Sequence, residues 1–172
     1  MSRRREHTLG FDAPADEIHA RFVSEEYWRA LTEFYRDLNP RTELVHFAAD
    51  EAGGADVALR QVLPREDLPP VARQAMPVDL VITRRQRFDP FDRETRRATG
   101  SFEAVMPRAP GRLGGDYDVA DTPAGCRVRI RSTCKVSIPL IGGTLEDLIL
   151  TNMAQMFDAE RDFTAAWLAG RR

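Results

Sequence analysis

Groups able to do chemistry are few and scattered in this 172-residue chain. Three histidines occur, His7, His19 and His46. His7 shares a strand face with Leu9 and Phe11, which makes it the sequence's one candidate for proton transfer inside an apolar cavity. The plainer reading is a histidine at a strand edge. His19 and His46 have no partner that the pattern names. Arg84 shares a face with Ile82, Gln86 and Phe88. If that face points inward, Arg84 is a buried cation that needs an anion, such as a ligand carboxylate. In the opposite register, which the sequence favours, Arg84 is solvated. Ser132 stands alone in an apolar register, where a buried hydroxyl needs a partner. Tyr117 is amphipathic and adjoins a glycine-rich turn. No catalytic constellation emerges, and no catalytic residue is assigned.

Cys126 and Cys134 fall on one strand and one face, roughly 26 Å apart at ~3.3 Å per residue. A disulfide needs Cα atoms within about 7 Å, so these two are not bridged to each other. Both read as small buried apolar groups, which suits a reducing cytoplasm. No Cys or His spacing resembles a metal site. No phosphate-binding loop, dinucleotide fingerprint or nucleophile elbow is present, so neither metal nor cofactor is expected. Gly142-Gly143 ahead of a helix is a weak anion-site signal, better explained by a tight turn.

The elements that must position these groups follow from patterning. Hydrophobic residues make up 42% and charged residues 30%, a globular composition. The net charge of -2 implies no general pull toward nucleic acid or membrane. Arg3-Arg4-Arg5 is followed at once by Glu6 and reads as a solvated strand end. No apolar signal region precedes Asp12, and no stretch approaches the ~18 apolar residues of a spanning helix. The expectation is a soluble cytoplasmic protein with no stable membrane insertion and no nucleic-acid partner.

Residues 7–11 read as a first strand. Asp12 is the expected N-cap of a helix with Pro14 in its first turn, carrying Ile18, Phe22 and Val23 on one stripe. Ser24 restarts a second helix bearing Tyr27, Trp28, Leu31, Phe34, Tyr35 and Leu38, which Asn39-Pro40 ends. A meander follows, with strands expected over 42–49, 56–63, 78–88, 94–106 and 115–120. The last strand is the clearest signal. From Cys126 to Ile138 the even positions are apolar or small and the odd ones are mostly Arg, Thr and Lys, the alternation of a half-buried antiparallel strand. Thr144 is the expected cap of a long helix over 145–168, with Glu146 and Asp147 favouring its dipole. Leu145, Leu148, Ile149, Met153, Met156, Phe157, Phe163 and Trp167 recur along it at helical spacing. Residues 64–77 interrupt two strands with four prolines yet carry Leu68, Val71 and Met76. They read as a helical turn over one end of the sheet, either a packed loop or a mobile lid.

This order of elements resembles the helix-grip fold of the START-like (SRPBCC) superfamily of polyketide cyclase-like and lipid-transfer proteins. Three segments carry the resemblance: Phe11-Asp12-Ala13-Pro14-Ala15-Asp16-Glu17-Ile18, Val136 to Glu146 (VSIPLIGGTLE), and Gly100-Ser101-Phe102 with Pro110 to Tyr117 (PGRLGGDY). Together they are similar to DUF2505, an actinobacterial branch of that superfamily. The resemblance implies a single α+β domain over residues 1–172, with a curved antiparallel sheet wrapped around the C-terminal helix and an apolar cavity between them.

The residues expected on that cavity are Phe11, Phe102, Tyr117, Val128, Ile130 and Ser132 from the sheet and Ile149, Met153, Met156 and Phe157 from the helix. Leu9, Val119, Cys134 and Val136 share the sheet's inward face, and Arg84 joins them if its register is inward. The expected function is binding or carriage of a small hydrophobic, lipid- or polyketide-like molecule, more in keeping with a binder than an enzyme. The alternatives are a cyclase- or aromatase-like enzyme using the cavity's polar groups, and a partner-binding module.

Overall fold

The computed structural model describes residues 2–170. Seven strands form one antiparallel sheet: β1 (Arg3–Phe11), β2 (Thr42–Ala49), β3 (Ala55–Leu63), β4 (Leu80–Phe88), β5 (Arg97–Val105), β6 (Gly111–Thr122) and β7 (Gly125–Val136). Their order is β1-β7-β6-β5-β4-β3-β2. β2 to β7 are thus a plain meander, and β1 crosses to the far edge to pair with β7. Two helices, α1 (Ala15–Phe22) and α2 (Glu25–Leu38), span that crossing, and α4 (Gly142–Leu168) lies across the sheet. Between β3 and β4 sit a 3-10 turn (Arg65–Asp67) and the short helix α3 (Pro70–Ala75).

β7 sets which side of the sheet is dry. Cys126, Val128, Ile130, Ser132 and Cys134 are buried, while the intervening arginines, threonine and lysine point away. Its register with β1 puts Leu9 opposite Val128 and Phe11 opposite Cys126, so β1 inherits the same inward face. On the β6 side, Tyr117 lies opposite Ile130 and Val119 opposite Val128. Gly100 lies opposite both Phe88 and Tyr117. A Cβ there would come within 2.5 Å of the Arg87 carbonyl oxygen, and without one the Phe88 and Tyr117 rings stack at 5.4 Å across it.

α4 is 27 residues long, about 40 Å at ~1.5 Å per residue, enough to cross the whole sheet. Glu146, buried on its second turn, accepts the Val136 N–H at 2.8 Å and so ties the helix to the end of β7. Arg3 donates to Asp147 at 2.7 Å, and Arg5 donates to the Thr151 hydroxyl at 2.9 Å. The arginines expected to be merely solvated therefore bind β1 to α4.

Four local expectations are corrected. Pro14, in extended conformation, is the N-cap of α1, and Asp12 makes no cap. The first free N–H, that of Ala15, is instead taken by Asp121 Oδ1 at 2.7 Å, a carboxylate brought in by the end of β6. α4 begins at Gly142, so Thr144 already lies inside its first turn and cannot cap it. β6 starts at Gly111, four residues ahead of the expected strand, because its glycines pair continuously with β5 and β7. Leu38, expected on the packed stripe of α2, is 73% exposed at the helix's last turn.

Candidate functional site

The space between α4 and the sheet is divided into two unlike halves. Under the C-terminal half of α4, Phe157 meets Phe102 and Tyr117 edge to face, and α1 and α2 add Phe22, Tyr27 and Trp28. A void of only about 20 Å³ remains there. Under the N-terminal half no helix fills the gap, and a cavity of about 490 Å³ opens. Leu148, Ile149, Met153 and Met156 form its helix side. Leu63, Ile82, Phe102, Ala104, Leu113 and Cys134 form its sheet side, and Leu68, Pro69, Ala72 and Met76 roof it. Leu68 and Met76 are themselves buried, so the proline-rich segment is packed over the cavity.

This division sorts the residues expected on the cavity. Arg84, Phe102, Ile149, Met153 and Met156 line it. Phe11, Tyr117, Val128, Ile130 and Phe157 face inward but surround the small void, and belong to the packed core. Ser132 is buried, next to Cys134 along the same face. The register of β7 carried no sign of where along the strand the wall ends and the core begins.

Arg84 faces inward, against the register that the sequence favoured. Its side chain is 9% exposed. The anion it needs is Glu160 of α4, to which Nη2 donates. Tyr35 donates to the same Glu160 oxygen at 2.5 Å, and Arg84 Nη1 reaches Met156 Sδ at 3.2 Å. Burial alone pulls the guanidinium pKa down, but the charge of Glu160, with Tyr35 and Tyr117 nearby, outweighs it, and the net shift is upward. Burial also raises Tyr35, and Glu160 adds to the rise, so that phenol stays neutral and donates. Glu160 sits three residues from both Phe157 and Phe163 on the apolar stripe of α4, the sequence signal that would have pointed to it.

The other polar candidates lie off the cavity. Tyr117 donates to Gln86 Oε1 at 2.8 Å within the core. His7, half-buried, pairs with the exposed Asp158 at 2.7 Å between β1 and α4 and stacks on Phe157. His19 is buried against the Asp89 carbonyl oxygen at 2.7 Å. The charged residues of the cavity wall besides Arg84 are Asp67, Arg112 and Lys135, all exposed at its rim. Burial pushes the Cys134 thiol up to about 11 and the Cys126 thiol to about 12, and both cysteines are free.

A seven-stranded antiparallel sheet holding a long C-terminal helix, with two helices after the first strand and a cavity beneath the long helix, is the helix-grip architecture of START-like proteins. Solved structures of that architecture superpose on nearly the whole chain. Norcoclaurine synthase from Thalictrum flavum matches with a TM-score of 0.51 at 18% identity, over 95% of this chain and 87% of that one. Protein Ms6760 from Mycobacterium smegmatis matches with a TM-score of 0.52 at 11% identity, over 98% and 92%. Residues 6–168 match the model of the family described as "Protein of unknown function (DUF2505)", and the chain belongs to that family. It is 29% identical to Uncharacterized protein Rv0481c of Mycobacterium tuberculosis over 98% of both chains. No helix among the described residues is long and apolar enough to cross a membrane.

Proposed function

We propose that the protein binds or carries a small hydrophobic molecule, lipid- or polyketide-like, in the cavity beneath the N-terminal half of α4. The observation that carries this reading is a cavity of about 490 Å³, walled by aliphatic, Met and Phe side chains and roofed by the 64–77 segment. That volume is within the range of small-molecule sites, and its wall is mostly apolar with few placed polar groups, Arg84 buried and Gln61 half-buried, as such sites are. The four methionines Met76, Met106, Met153 and Met156 give part of the wall and roof a shape that adapts to its contents. The comparison with norcoclaurine synthase supports the fold and leaves the ligand open.

Binding is favoured over a cyclase-type reaction by the chemistry of the wall. Its ionisable groups are a paired arginine, rim charges and one thiol held protonated at neutral pH. A proton acceptor poised near pH 7 would be expected of a general base. In this reading the chain works as one START-like domain in the cytoplasm, where two buried free thiols are at home.

Two measurements test it. Native mass spectrometry of the purified protein, followed by denaturing extraction, should release an apolar molecule that leaves on unfolding. Ala104 projects into the cavity opposite Arg84 on the neighbouring strand. Ala104→Trp should occupy part of the space beside Arg84 and weaken uptake of a neutral apolar dye such as N-phenyl-1-naphthylamine, with the thermal midpoint kept. Unchanged dye uptake by that variant would overturn the assignment of the cavity.

A further inference from the structure

The cavity ends on an ion pair. Arg84 and Met156 are part of its wall, and Glu160 borders the packed core just beyond. Glu160 takes one guanidinium proton, and a second points at Met156 Sδ at 3.2 Å. A guanidinium carries five N–H donors, and a thioether sulfur is a weak acceptor. A strong, fully charged donor is thus held at the inner end of an apolar cavity against a partner that satisfies it poorly.

We infer that the ligand is an apolar molecule bearing one uncharged oxygen acceptor, a carbonyl or hydroxyl, which takes the Arg84 Nη1–H bond from Met156 Sδ. The inference rests on the reading that the cavity holds an apolar ligand, and it adds the chemistry of that ligand's polar end. Charge decides for a neutral acceptor. Arg84 and Glu160 cancel, so a carboxylate placed here would be a second anion beside Glu160 in a poorly solvated site. A carbonyl gives up only its own hydration and gains a hydrogen bond assisted by the guanidinium charge. A pure hydrocarbon leaves that donor on sulfur. Met156, with its flexible side chain, can turn aside as the acceptor arrives.

Decane, 2-decanone and decanoate share one chain length and differ at the end that would meet Arg84. Each is titrated into the full chain by displacement of N-phenyl-1-naphthylamine at pH 8. Partition from water alone ranks decane first. The inference requires 2-decanone to bind about tenfold or more tightly than decane, the ratio set by one hydrogen bond to a charged group, and more tightly than decanoate. Decane equal to or ahead of the ketone, or decanoate ahead of it, overturns the inference while leaving the apolar cavity standing. Failure of the dye and all three compounds to bind overturns the cavity reading itself. The double variant Arg84→Met with Glu160→Met removes both charges together and should return decane to first place. A ketone preference that survives in it also overturns the inference. The wild-type ranking decides without that variant should it fail to fold.

Discussion

Glu160→Ala tests how the interior is held together. The Arg84 and Glu160 side chains are 9% and 14% exposed, and Glu160 also receives the Tyr35 hydroxyl. Removing the carboxylate leaves a guanidinium in the interior with only a thioether and the cavity around it. Breaking a buried pair from one side costs about 3–5 kcal/mol, because the remaining charge is uncompensated. An unfolding entropy of about 2.1 cal/mol/K per residue over the 172 residues turns that into a fall of roughly 8–14 °C in Tm. The double variant Arg84→Met with Glu160→Met should recover most of the loss, since replacing both charges by apolar groups is often neutral or stabilising. Urea denaturation of the wild type, the single variants Arg84→Met and Glu160→Met and their double variant closes the cycle and isolates the coupling. A loss of about 1 kcal/mol or less on Glu160→Ala, the value of a surface pair, would refute the claim that the pair is buried. A double variant as unstable as the single ones would refute the claim that orphaned charge is the cost.

Asp121→Ala should lower the urea midpoint, as the loss of a helix N-cap does, because Asp121 caps Ala15 from another element. The carboxyls of Asp121, Asp50 and Asp79 are each held below the usual 3.8, foremost by backbone N–H donors and then by an arginine. A depressed carboxyl stabilises the fold above its unfolded pKa, so stability should fall as pH drops below about 4, measured by Tm against pH. The two thiols shift the other way. Native Cys126 and Cys134 keep their protons up to about 12 and about 11, while unfolded thiols ionise near 9. Their contribution is present below pH 9 and is lost as pH rises toward 12. Alkylation by iodoacetamide at pH 8 should therefore be slow in the native protein and fast in urea, and equal rates would show that the thiols are not buried.

The sequence by itself determined the elements and the dry face of the sheet. The period-two alternation of Cys126 to Ile138 could be satisfied only by a strand with one wet face, and the stripe from Leu145 to Trp167 only by a helix lying on that strand's other face. Both signals are local, since each comes from side-chain spacing along one segment. Only the tertiary structure decided where the space between them is empty. Val128 and Met153 obey the same patterns, yet α1 and α2 fill the space at Val128 and nothing fills it at Met153. It also decided the fate of Arg84. On its own strand, an arginine between Ile82 and Phe88 is more cheaply placed in water. It is buried because Glu160, 76 residues away on α4, and Tyr35, on α2, converge on it. The N-cap of α1 follows the same rule: Asp12 is near in sequence, but Asp121 is near in space. Periodicity reports the faces of single elements, whereas partners for buried charge and the limits of a cavity depend on which distant elements meet, and that is set by the packing of the whole chain.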